Sequence, residues 1–420
     1  MSISVKTDVF DIYHKKTRVA LFLTSILQEP LFTLFSLCAF ILRKDLGATA
    51  FQIAVLTMLR PLVSILSYYW SSLITKRKDR LRSNFLLAGF LSCLPFLFFP
   101  IVSNSWFVIA GAAIYVLFYR GGSPAWIEIL KQNMSKKARE NIFSWGSAIG
   151  YLEGVFLAIG IGKILDHHTN MWRWLFFGAA ILRIVNFFLL IKIPIKKVTE
   201  TEKKINKSTF KELVMEPWRN SYKLMKTRPD FSRFQWGFMI SGFGIMLIQP
   251  ALPLFFVDKL KLSYTDLAIA LSICKGLGFA FFSPFWAKVM GKSPIMKLSS
   301  LVFLCVGFFP LLLLFSSFHI AWVYLAYFFY GIAQGGSHLI WNLSGPVFAG
   351  TEDSSPFTSV NVAMVGVRGA IAPPIGGLLA VFFGPIFVLF LGIFFSFYSG
   401  IKMLSKKKSK IEELLESEIS

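Results

Sequence analysis

Apolar runs of about twenty residues, the length a membrane-crossing helix needs, fill most of this chain. They fall near residues 19–42, 51–74, 84–102, 106–130, 142–165 and 172–195. After a polar stretch they resume near 234–257, 264–286, 295–316, 319–346, 357–383 and 384–404. A helix rises ~1.5 Å per residue and a hydrocarbon core is ~30 Å thick, so each run predicts one crossing. The expected fold is therefore an all-α polytopic membrane protein of twelve transmembrane helices, called spans 1 to 12 below. The domains expected are an N-terminal six-helix half (1–195), a central loop (196–233), a C-terminal six-helix half (234–404) and a tail (405–420).

The two halves repeat one another. Gly121-Gly122-Ser123 returns 214 residues later as Gly335-Gly336-Ser337, and at that offset Phe143 returns as Phe357 and Gly162 as Gly376. Ile53-Ala54 matches Leu267-Ala268, while Trp70 matches Trp286 at an offset of 216. Gln28-Glu29-Pro30 in span 1 echoes Gln249-Pro250 in span 7. Duplicated helical halves are the sequence signature of secondary transporters, which bind their substrate near the bilayer midplane where the repeats meet.

Composition agrees with a membrane location. Of 420 residues 55% are apolar and 16% charged, against about 25% charged in soluble domains, and the mean hydropathy is +0.62. A soluble globule and a disordered chain are both excluded. The formal charge of +22 raises nucleic acid as a partner, but the basic residues alternate by connection. One side carries Lys76, Arg77, Lys78, Arg80, Arg82, Lys131, Lys136, Lys137 and Arg139. It also carries the 196–233 loop, Lys288, Lys292, Lys297 and the Lys406–Lys408 tail. The other side has little beyond Arg43, Lys44, Arg173, Lys259 and Lys261. The positive-inside rule then puts both termini and the central loop in the cytoplasm, in a cytoplasmic (inner) membrane of bacterial type. Thr351-Glu352-Asp353 is the connection that lacks a basic residue. Topology accounts for the charge, and no nucleic-acid partner is expected.

Cys38, Cys93, Cys274 and Cys305 each lie inside an apolar run, as packing residues rather than a disulfide framework or metal site. The first apolar run is full length and reads as an anchor rather than a cleaved leader. No phosphate-binding or hydrolase motif appears, so neither a cofactor nor catalytic residues are expected.

With six-helix halves and both ends inside, the chain resembles the major facilitator superfamily over nearly its whole length. In that family the loop after span 2 reads G-x-x-x-D-R-x-G-R-R; here Thr75-x-x-x-Asp79-Arg80-x-Arg82 keeps the Asp-Arg core. The resemblance implies a cytoplasmic gate at Asp79 and Arg80, with Arg139 as partner. Tyr330-Gly331-Ile332-Ala333-Gln334-Gly335 resembles the family's span 4 pattern, while span 4 itself has Arg120 before Gly121-Gly122. The antiporter Pro-Gly signature is missing from span 5, where Gly146, Gly150 and Gly154 form a small-residue face read as helix packing. Ala372-Pro373-Pro374-Ile375-Gly376-Gly377 in span 11 looks like a displaced version, read as a kinked, closely packed helix.

Charges at membrane depth mark function by default. Glu29, Arg60, Glu153, Lys275 and Arg368 each lie near mid-span, with Arg120 slightly toward the cytoplasm. Gln249, before Pro250, is placed to line a cavity where the proline frees a carbonyl. In the resembled fold spans 1, 4, 7 and 10 line the cavity, span 5 abuts span 8, and span 2 abuts span 11. That implies a cross-half pair of Glu153 with Lys275, either breaking as the halves rock or holding them in register. It also sets Arg60 opposite Arg368, with Glu29 or a substrate anion between them.

Four cations against two acids point to a small anionic metabolite, since guanidinium binds oxyanions bidentately. Glu29 or Glu153 would carry a coupling proton, because burial raises a carboxyl pKa. Arg183 in span 6 reads as snorkelling or packing, since such spans face lipid in the resembled fold. Trp126 and Trp341, near span ends, could stack a ligand ring, though interface anchoring is the commoner use of Trp there. Residues 210–224 read as an amphipathic surface helix broken at Pro217. The expected function is proton-coupled uptake by a monomer surrounded by membrane lipid. Its rivals are efflux of amphipathic or cationic compounds, lipid translocation, a non-transporting sensor of the same fold, and an integral-membrane enzyme.

Overall fold

The structure is a computed structural model that describes residues 2–76, 81–191, 193, 210–292, 294–350 and 352–404. Side chains are described outside 2–15, 64–76, 136–148, 210–214 and scattered single positions. Every regular element among the described residues is helical. The helices run over Ser2–Lys44, Ala50–Lys76, Leu81–Cys93, Ser105–Asn133, Lys136–His167 and Met171–Ile191 in the first half. In the second they run over Pro229–Lys259, Tyr264–Met290, Ile295–Ser317, Ala321–Ala349 and Ser355–Leu404. By length and hydropathy alone, seven of the described helices are able to cross a membrane.

Local chemistry explains the ends. Asn104 caps span 4 by accepting the Trp106 N–H at 2.8 Å, and Ser263 and Asp266 form a reciprocal capping box at the start of span 8. Spans 11 and 12 follow one another without a loop, because Gly384 bends the chain at φ 82°, a conformation that glycine adopts without strain. Span 7 is interrupted at Gln249-Pro250, as the proline dictates. Two features differ from expectation. Span 1 begins as helix at Ser2, and Phe210–Thr227 is one unbroken helix through Pro217. On that helix Met215, Trp218 and Tyr222 are exposed along one face.

The chain forms two compact units. The first is Met1–Arg219 with Met246–Cys274 and Val362–Val388. The second is Asn220–Ile245, Lys275–Asn361 and Leu389–Ser420. In the second unit the repeated glycine pair seats a tryptophan: the Trp286 ring lies against Gly335 and Gly336, and its Nε1–H donates to the Ile332 carbonyl at 2.8 Å. Span 8 also lies backbone to backbone on span 10, the Lys275 carbonyl against Gly331 and the Phe328 carbonyl against Gly278. Gln235 donates to Asn361, which donates to Ser344 at 2.8 Å, a buried polar chain joining spans 7, 11 and 10.

In the first unit, parts of spans 7, 8 and 11 pack on the N-terminal helices. Pro61 of span 2 meets Gly369 of span 11, and Ala50 and Ala54 meet Gly377 two turns on. Span 5 touches span 8 through Tyr151, whose hydroxyl donates to the Ser272 carbonyl at 2.8 Å, and through Gly162 against Thr265.

A latch forms at the distal end, where spans 1, 5 and 7 finish and span 8 begins. Arg43 makes a two-pronged pair with Asp258, 2.5 Å at its shortest. Lys44 donates to the Leu262 carbonyl at 3.1 Å and lies 3.8 Å from Asp166. Asp166 accepts the N–H groups of Tyr264 and Thr265 at 2.7 and 2.9 Å and the Thr265 hydroxyl at 2.7 Å. Burial acts to raise the Asp166 carboxyl, but these hydrogen bonds and Lys44 hold it below its ordinary 3.8. Burial raises the Asp45 carboxyl above 3.8, more than Lys44 offsets.

The two acids act in opposite pH windows. Asp166 supports the latch above its ordinary pKa and stops doing so only as pH falls through its lowered value. Asp45 favours the closed form below its ordinary pKa, and that help is lost as pH rises through its raised value. Mild acid should therefore tighten the latch. A Leu262→Cys probe, buried here, in a chain lacking the four native cysteines, reads this through its rate of maleimide labelling. Asp166→Asn should speed labelling several-fold at neutral pH; an unchanged rate would show that Asp166 holds nothing shut.

Candidate functional site

Four spans bring two arginines to the ends of one aromatic stack. The Arg60 guanidinium lies 4.8 Å from the centroid of Phe35, and Phe35 meets Tyr115 at 4.7 Å. Tyr115 stacks on Tyr119 at 5.6 Å, and Arg183 covers both tyrosines at 5.8 and 5.4 Å. Ring faces are negative, so a cation gains about 0.5–2 kcal/mol there. Arg120, next to Tyr119, is near enough for its charge to act on Arg60.

Glu29 enters from span 1 and rests on the glycine face of span 5. A Cβ on Gly154 would stand 2.6 Å from its Oε1, and one on Gly150 3.6 Å from its Oε2. The small-residue face read from sequence as helix packing is thus the seat of a carboxylate. Glu153, beside Gly154, is the residue whose charge acts on Glu29. The Glu153 Oε2 is buried and lacks a hydrogen-bond partner among the described residues. A cavity of about 220 Å³ opens here, bordered by Ser25, Gln28, Glu29, Tyr119, Tyr151 and Arg183. A second of about 240 Å³ adjoins it among spans 1, 3, 4 and 6.

Arg60, Arg120, Arg368, Lys275 and Gln249 are not among the residues that border these cavities. Spans 2 and 11 do meet, through Pro61 and Gly369, but Arg60 turns to Phe35 and Arg120, while Arg368 is buried at 8% exposure. Glu153 belongs to the first compact unit; Lys275 belongs to the second and follows a π-helical turn at Ile269–Cys274. Gln249 sits half-buried at the break in span 7. Asp79 and Arg80 fall outside the described residues, and Arg139 lies on the Lys136–His167 helix with its side chain not described.

For Arg183 the structure favours packing over snorkelling, and it puts Trp126 on a cavity rather than leaving it only an interface anchor. Arg183, Asn186, Phe187 and Leu190 border the cavities, while Val185 and Phe188 are exposed. Arg183 therefore faces the bundle rather than lipid. The spacing 183, 186, 187, 190 is one helical stripe, and its two polar members were the readable signal. Trp126 lines both cavities, stacked on Phe85 at 5.0 Å.

In sequence, residues 21–367 match the family described as Major Facilitator Superfamily. The chain belongs to that superfamily. As a member it is a multi-pass membrane protein and a secondary transporter. No curated protein matches this superfamily member in sequence. Among solved structures it is similar to the nucleoside transporter NupG, 15% identical at a TM-score of 0.67 over 92% of this chain and 97% of that one. It is similar to the peptide transporter POT in complex with sulfate, 14% identical at a TM-score of 0.68 over 96% and 95%. A bacterial homolog to the human lysosomal transporter Spinster is 14% identical at a TM-score of 0.62 over 95% and 99%. At these identities the likeness is one of fold.

Proposed function

We propose that this superfamily member couples proton entry to the uptake of a small anionic metabolite. The observation that carries the reading is the seat of Glu29. Its carboxylate rests on Gly154, within electrostatic reach of Glu153, and borders the same cavity as Arg183. A carboxylate at membrane depth with a second acid close by is a group suited to take up and release a proton on each cycle. Arg183 supplies positive charge on that cavity, and Arg60, with Arg120 near it, lies at the other end of the Phe35–Tyr115 ring contact. An anion entering the cavity would meet Arg183, a guanidinium suited to hold an oxyanion bidentately. The asymmetry of basic connections sets the distal latch outside and the termini in the cytoplasm. Uptake would then require the latch to part and reclose on each cycle.

Thermal unfolding of the purified protein in detergent tests the reading, using lactate, succinate, inorganic phosphate and tetraphenylphosphonium at pH 6 and 8. A ligand at 100 times its dissociation constant stabilises by about 2.7 kcal/mol, which shows clearly in a melt. Anions should shift the melt, and Arg120→Gln should remove the shift. In liposomes Glu29→Gln should keep anion binding and lose accumulation driven by a pH gradient. A shift with tetraphenylphosphonium alone would overturn the reading in favour of cation efflux, with Glu29 and Glu153 as the cation site.

A further inference from the structure

The cavity beside Glu29 does not end there. It continues past Arg183 into the recess among spans 1, 3, 4 and 6, since Thr24, Gln28, Tyr119, Trp126 and Arg183 border both. The two arms differ in chemistry. The first is edged by Ser25, Glu29 and Tyr151; the second by Phe85, Leu86, Phe118, Phe187 and Leu190. Arg183 stands at the junction, and its Nε–H is buried without a hydrogen-bond partner among the described residues. Phe85 and Trp126 lie parallel within 9° at 5.0 Å, extending flat aromatic surface into the recess. Asn186 is already engaged by the Thr24 hydroxyl at 3.0 Å, leaving Arg183 as the charged group of the junction.

We propose that the recess holds the apolar body of the transported anion, so that the substrate is a carboxylate joined to a flat aromatic ring. The carboxylate would take the Arg183 guanidinium and the ring would lie against the Phe85–Trp126 pair. The proposal rests on the anion reading above and narrows it. A guanidinium keeps its charge at any working pH, and a buried N–H left unmet is costly, so an oxyanion is the group it selects. A mostly apolar recess with one half-buried cation at its mouth has the make-up of a ligand site, where a few placed polar groups fix orientation. Flat rings suit it because aromatic pairs gain from stacked geometry beyond the area they bury.

Gly89 supplies the test. It borders the recess, and a Cβ added there meets no atom within 4 Å. Gly89→Leu would therefore fill the recess from span 3 without pushing on the backbone. Binding to the detergent-purified full chain is measured by melting temperature and tryptophan fluorescence, with phenylacetate, indole-3-acetate, acetate and octanoate as probes. The two ring acids should bind the native protein at least tenfold tighter than acetate. Gly89→Leu should weaken the ring acids at least tenfold more than it weakens acetate, and Arg183→Gln should weaken all of them. If acetate binds as tightly as the ring acids, or Gly89→Leu leaves ring-acid binding intact, the recess is not the seat and the anion reading survives. Octanoate binding in place of the ring acids would also overturn the proposal and mark the recess as an acyl-chain seat. If no anion binds, the anion reading itself fails.

Discussion

Gly154→Leu should abolish proton-driven uptake in a protein that still folds. At this position the nearest atom to an added Cβ is Glu29 Oε1, at 2.6 Å. That oxygen ends a flexible side chain, so the carboxylate moves and the helices do not. The result is displacement of one functional group without a packing fault. Misplacing a reacting group by ~1 Å costs on the order of a hundredfold in enzymes, and a loss of that size is expected for uptake under a pH gradient. Gly154→Ala should give a smaller loss in the same direction. Gly160→Leu is the control, since an added Cβ at that glycine of the same span meets nothing within 4 Å. If Gly154→Leu transports as well as Gly160→Leu, the seat of Glu29 has no part in transport.

Gly376→Ala and Gly331→Ala should fail in the opposite way, by unfolding. An added methyl would strike the Leu247 carbonyl in the first case and the Lys275 carbonyl in the second. Both obstacles are backbone, so relief requires moving a whole helix. Forcing a methyl into such a contact costs about 1–3 kcal/mol, occasionally more. Each variant should melt well below the native protein and give a poor yield of monodisperse material. Gly178→Ala meets no atom within 4 Å and should be neutral or slightly stabilising, by up to about 1 kcal/mol, through helix propensity. Equal melting of all three would mean that these glycines do not set the helix separation.

Helix existence and order were legible because apolar length is a one-dimensional property. The Gly384 break falls at the expected join of spans 11 and 12, and the repeated Gly335-Gly336 pair proves to be a packing seat. What the pattern does not carry is rotation about each helix axis. Glu29 reaches Gly154 and Glu153 because spans 1 and 5 are turned toward each other, and Arg60 reaches Phe35 and Arg120 for the same reason. Depth along the membrane normal, which the sequence does report, left several partners equally plausible. Arg183 was readable in principle from its stripe with Asn186, and the general habit of span 6 in the resembled fold obscured it.

The start of span 8 carries two caps, its own Ser263–Asp266 box and the Asp166 carboxylate from span 5. When spans 5 and 8 part, the helix keeps its own box and the released N–H groups meet water. Net hydrogen bonds in water are worth about 0.5–1.5 kcal/mol each, so the three made by Asp166 amount to a few kcal/mol. Taken alone, a gap of that size would leave the rarer form at roughly 0.1–10% of molecules. If the Asp166 bonds were the whole of what holds spans 5 and 8 together here, a substrate would select from a standing minority rather than pry apart a locked majority; the Arg43–Asp258 pair adds to what must be released.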